Sequence, residues 1–91
     1  MHAVAINVSI KDFDRARQGL VDQVVPAISQ APGFVAGYWT RSEDNRGLGL
    51  AVFESEDNAR AVAEMVQSQG TPDPDAVTLE NVEVREVVAH A

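Results

Sequence analysis

The sequence predicts an α+β domain, a four-stranded antiparallel sheet built in the order strand, helix, strand, strand, helix, strand. Three observations carry this. Ala3 to Ile10 alternate strictly, with Val4, Ile6, Val8 and Ile10 on one face and Ala3, Ala5, Asn7 and Ser9 on the other, the period of a strand. Pro32 to Phe53 hold two apolar arms joined by a polar run, Ser42 to Arg46, which is the pattern of a β-hairpin. Two stretches of helical apolar spacing, one on each side of that hairpin, complete the order.

The first helix begins near Phe13, because Phe13, Ala16, Leu20 and Val24 recur at helical spacing and Asp12 can accept free first-turn amides. Pro26 lacks a backbone donor and bends the chain there, Ala27, Ile28 and Gln30 can continue it, and Pro32-Gly33 ends it. In the hairpin, a turn centred on Asp44 sets Tyr38 opposite Leu50 and Ala36 opposite Val52 on one face, with Trp39 opposite Gly49 and Gly37 opposite Ala51 on the other. The second face is hollow. Its glycines leave room for close-packed helix or for a small ligand.

Ser55 caps the second helix, with Glu56 and Asp57 at its positive end and Ala59, Val62, Ala63 and Val66 as its buried stripe. Gly70 supplies a positive-φ stop, and the acidic loop Thr71 to Asp75 is expected to be mobile. The last strand lies within Ala76 to Ala89. Its alternation slips between Val77-Leu79 and Val82-Val84, and a bulge near Glu80-Asn81 reconciles the two phases. Right-handed crossovers then give strand order 4-1-3-2, a ferredoxin-like βαββαβ sheet with two helices on one face.

Length and charge narrow the function. Ninety-one residues make one domain, 1-91, small enough that a partner covering more surface is expected. A net charge of −7 offers no basic cluster for nucleic acid or an anionic membrane. The absence of cysteine removes disulfides and thiolate chemistry and fits a reducing compartment; with no basic leader and no apolar run of membrane length, a cytoplasmic chain is the expectation. If the helices take the small-residue side of the sheet, Val4, Ile6, Val8, Leu48, Leu50 and Val52 form a broad open apolar face. A second copy is the expected cover, with Ile6, Val8, Leu50, Val52, Val84, Val87 and Val88 as interface candidates.

The stretch PGFVAGYWTRSEDNRGLGLAVFESEDNARAVAE, with its PGF entry to the second strand and the F-x-S-x-x-x-A-x-A lead of Phe53, Ser55, Ala59 and Ala61, resembles the dimeric α+β barrel proteins, the group that includes the antibiotic biosynthesis monooxygenase domain. The resemblance runs through nearly the whole chain and rests on fold signatures. It implies a homodimer with sheets packed face to face, a pocket between sheet and helices, and, in some members, cofactor-independent oxygenation of small aromatic or polyketide-like substrates. Other members degrade haem, but they carry a histidine ligand in their second half, where this chain has only the terminal His90, so no cofactor is expected.

Four residues are pocket-lining candidates. Asn7 and Trp39 are placed on one hollow face, Tyr38 can donate a phenol proton, and Arg41 can hold an anion or stabilise an enolate. Each also has a structural reading: a buried amide bonded to backbone for Asn7, a glycine-covering core aromatic for Trp39, a surface ion partner for Arg41. No catalytic residue is assigned. His2 and His90, at opposite chain ends, do not make a metal site of ordinary ligand count. Two functions stay open: a cofactor-independent monooxygenase, or a non-catalytic small-ligand-binding or stress-related dimer on the same scaffold.

Overall fold

Each element follows from its local chemistry. The computed structural model describes residues 1–91. The alternating N-terminal run forms β1 (His2–Ile10) and Asp12 then caps α1 (Phe13–Gly19), its side chain accepting from the Arg15 amide at 3.2 Å. The rod continues through a π-helical segment, Leu20–Val24, into α2 (Val25–Ser29). Pro26 accounts for this: its ring crowds the preceding carbonyls and it offers no amide, and the widened turn, in which the Val25 N–H reaches back to the Leu20 carbonyl, absorbs both without breaking the helix.

Strands β2 (Phe34–Arg41) and β3 (Arg46–Phe53) form the hairpin in the expected register, Tyr38 with Leu50 and Trp39 with Gly49. The turn closes through the Ser42 amide on the Arg46 carbonyl at 2.8 Å, with Asn45 at φ 60°, a conformation asparagine tolerates. Helix α3 (Glu56–Gln69) starts at Ser55, whose hydroxyl accepts from the Asn58 amide at 3.1 Å, and stops at Gly70 with φ 67°. Strand β4 (Val77–Glu86) carries the expected irregularity, its register against β1 shifting between Asn81 and Leu79. The sheet order is β2-β3-β1-β4, all antiparallel, which is the 4-1-3-2 order read from the other edge. The Thr71 to Asp75 loop has anchoring contacts to the N-terminal segment. Arg15 pairs with Asp73 at 2.6 Å, and the Ala76 carbonyl takes the amides of Lys11 and Asp12.

The helices cover one sheet face, and on β1 it is the large-residue side rather than the small-residue side. Val4 pairs with Ala51, Ile6 with Gly49 and Val8 with Gly47, so the bulky β1 side chains stand beside the gaps that β3 leaves. Val4, Ile28, Ala51, Phe53 and Ala59 are the heart of the core, with Ile6, Val62 and Ala63 beside them. Phe53 meets Phe34 edge-on at 5.9 Å. Burying a side chain of the size of Phe53 or Ile28 stabilises by about 1.5–3 kcal/mol.

This corrects three interface candidates. Ile6 is a core residue, and Val8 and Val84 pack against the core from the helix side. Leu50 and Val52 keep their place on the opposite, uncovered face. There Tyr38, Leu50, Ala5 and Glu83 form one row across the sheet, and Thr40, Leu48, Asn7 and Asn81 the next. Val87 extends the β4 edge by donating to the Met1 carbonyl at 3.0 Å, and Val88 beyond it is exposed. No helix is long and apolar enough to cross a membrane.

Candidate functional site

Trp39 projects from β2 toward the helices and lies flat on the hairpin. A Cβ at Gly49 would meet its Cδ1 and Nε1 at 2.7 Å, and one at Gly37 would meet its Cζ3 and Cη2 at 2.8 Å. The indole therefore rests on two glycines, its pyrrole half over one strand and its benzene half over the other, and turns its second face to the helical layer. Beneath that layer is a cavity of about 760 Å³, walled by the sheet, the long N-terminal rod and the C-terminal half of α3. Twenty-six residues line it, 16 of them hydrophobic, among them Ile6, Val8, Leu20, Val24, Trp39 and Met65. That volume lies within the range of small-molecule sites.

The π segment shapes this cavity, since Leu20, Val21, Gln23 and Val24 all line it. Single π turns of this kind within an α-helical rod are frequent at functional sites. Below, the gaps left by Gly47 and Gly49 are occupied by side chains, Val8 over the first and Trp39 over the second, and these form the floor.

At one end of the cavity the Arg41 guanidinium stacks on the Phe13 ring, its central carbon 3.6 Å from the ring centroid. Such a stack at an exposed position contributes about 0.5–1 kcal/mol. Arg17, one turn further along α1, lines the same cavity. The remaining polar residues of the lining are Gln23, Gln69, Thr40 and Thr71, and none is acidic. Thr40 Oγ1 is engaged with the Leu48 carbonyl at 3.0 Å and Thr71 Oγ1 with the Val77 carbonyl at 2.9 Å.

The arginines divide sharply. Of six in the chain, Arg15 pairs with Asp73, Arg46 with Asp44 and Glu80, Arg60 with Glu56 and Arg85 with Glu83. Arg17 and Arg41 have no carboxylate partner, and they are the two that line the cavity. The single lysine, Lys11, is also unpaired but lies outside it. Resolved pKa shifts belong to the paired surface groups: the Arg60 hydrogen bond holds Glu56 below its ordinary value, the Arg85 hydrogen bond does so for Glu83, and the Ser42 hydroxyl for Asp44.

Of the four residues expected at a pocket, the structure brings Trp39 and Arg41 to the cavity and leaves Asn7 and Tyr38 on the other side of the sheet. Asn7 faces Leu48 and Asn81 there, beside the β4 bulge, and Tyr38 is 68% exposed beside Leu50. The two misplacements have separate causes: for Asn7 the β1 phase described above, and for Tyr38 strict strand alternation, which sets the neighbours of Trp39 on the opposite face. Sequence reasoning missed Phe13 and Arg17. Their four-residue spacing, which puts them on one helix face, was the available signal.

No family model matches the chain, and no curated protein matches it significantly. Among solved structures it is similar to a dimeric ferredoxin-like protein from an uncultured marine organism, with a TM-score of 0.59 and 9% identity over 100% of this chain and 98% of that one. At that identity the likeness establishes the ferredoxin-like fold and nothing finer.

Proposed function

We propose that this chain works as a cytoplasmic homodimer that binds a small, largely apolar and preferably aromatic molecule in the cavity under Trp39. The observation that supports this is the 760 Å³ cavity itself, lined mostly by apolar residues and bordered by Trp39 and the π segment. The homodimer rests on the uncovered sheet face, where Tyr38, Leu48 and Leu50 are 68%, 42% and 36% exposed, and on a structural neighbour described as dimeric. Leu50 and Val52 are central to that proposed interface, with Val87 and Val88 at its edge.

Cofactor-independent oxygenation is the second reading, favoured by the placement of Trp39 and Arg41 at one cavity, where an aromatic platform and a cation can hold a substrate anion. The polar groups on the wall are amides, hydroxyls and guanidiniums, which bind and orient more readily than they take protons. That ranks ligand binding first. Titration with a panel of hydroxylated aromatics under an oxygen electrode separates the two readings: saturable binding without oxygen uptake is expected, binding with stoichiometric uptake establishes the oxygenase, and no binding by any member removes both.

A further inference from the structure

The two guanidiniums at the cavity define the chemical class of what it takes. We propose that the ligand is an apolar organic acid, its carboxylate held by Arg41 and Arg17 and its flat body lying inside against Trp39. This rests on the reading of the cavity as a ligand site and adds the charge of the ligand to it.

Three observations lead there. The chain carries 14 acidic residues against 7 basic ones, so an arginine without a carboxylate is the exception, and both exceptions among the arginines line one cavity. The lining holds no Asp or Glu, so Arg17 and Arg41 are the only formally charged residues on the cavity wall of a protein of net charge −7. The third is the Arg41 stack on Phe13. A guanidinium lying on an aromatic face is oriented without using its N–H groups, so its edge donors stay open for a planar, two-oxygen acceptor. Carboxylate and guanidinium match in shape as well as charge, and Arg17 on the same helical face as Phe13 supplies a second donor set. The apolar lining beyond Arg41 then requires that the acid carry a hydrophobic body, since a small hydrophilic anion would leave that wall facing water.

Calorimetric titration of the full chain with 2-naphthoate and with methyl 2-naphthoate, two ligands of one body and different charge, tests this. The acid is expected to bind about ten- to a hundredfold tighter than the ester, the range of one to two charge-assisted hydrogen bonds. Arg41→Gln is expected to lower affinity for the acid about tenfold and leave the ester unchanged, and Arg17→Gln with Arg41→Gln to erase the preference; ester affinity in each variant reports that the cavity is intact. Added salt should weaken the acid and spare the ester. Equal binding of acid and ester, or an acid preference that survives the double substitution, overturns the inference and leaves the cavity reading standing. Failure of both ligands to bind overturns the inference together with the cavity reading.

Discussion

The indole of Trp39 lies so close over Gly49 that a Cβ at that glycine would sit 2.7 Å from Cδ1 and Nε1. The glycine is therefore a spatial requirement of the Trp39 rotamer, and the rotamer in turn gives the cavity one aromatic wall. Gly49→Ala is expected to push the indole into the cavity and destabilise by about 1–3 kcal/mol, the usual cost of overpacking. Urea unfolding followed by circular dichroism measures the loss, and a changed Trp emission maximum shows where it arises.

Phe53 and Ile28 test the core directly, since both are essentially inaccessible to water. Phe53→Ala removes the edge-on partner of Phe34 and is expected to cost about 3–5 kcal/mol. A cost under about 1 kcal/mol in denaturant unfolding would mean that the helices do not close over β3 as described.

Leu50 and Ile6 sit on opposite faces of the sheet and separate association from folding. Leu50→Glu is expected to give a folded monomer in sedimentation equilibrium at micromolar concentration, because it charges the uncovered face. Ile6→Ala is expected to leave association intact and lower stability by about 2–4 kcal/mol, because Ile6 belongs to the core of its own chain. A Leu50→Glu protein that remains dimeric removes the sheet face as the interface.

The hairpin was legible in the sequence down to its register, because pairing across a short turn is a local property set by Asp44 and Asn45 and by the alternation of Tyr38 with Trp39 and Leu50 with Gly49. The β4 bulge was legible too, from the slip between Leu79 and Val82. The phase of β1 against β3 was not. Strands distant in sequence carry no turn to fix their register, and a shift of one residue moves every side chain to the other face. Grouping Val4, Ile6 and Val8 with Leu48 and Leu50 joined large residues with large ones; the fold instead sets them beside Ala51, Gly49 and Gly47. The same phase decides that Asn7 lies away from the cavity and Ile6 in the core. The stack of Arg41 on Phe13 lay beyond sequence reasoning for the same reason, since it joins a strand end to a helix start across the cavity.

Paired surface carboxylates make a small contribution to stability toward acid. Arg85 Nε donates to Glu83 at 3.0 Å and holds that carboxyl below its ordinary value of 4.5. A depressed carboxylate contributes stability that is present above its unfolded pKa and lost as pH falls through the folded one. The pair is fully exposed, so the contribution is small. Melting temperature is expected to stay level between about pH 7 and 5 and to fall only below about pH 4.5, with Glu83→Gln nearly matching wild type at neutral pH. A fall beginning near pH 6 would contradict this and point to a histidine.

The central claim is that the space beneath Trp39 admits a ligand. Trp39 is the only tryptophan, so its indole N–H gives a single amide-type cross-peak in a nitrogen–proton correlation spectrum. Titration with methyl 2-naphthoate should shift that peak saturably, with one equivalent per chain. Ala16→Phe, which places a ring into the same cavity from α1, should abolish the shift in a variant whose melting confirms that it is folded. No saturable shift in the wild-type protein, or an undiminished one in folded Ala16→Phe, would contradict the claim.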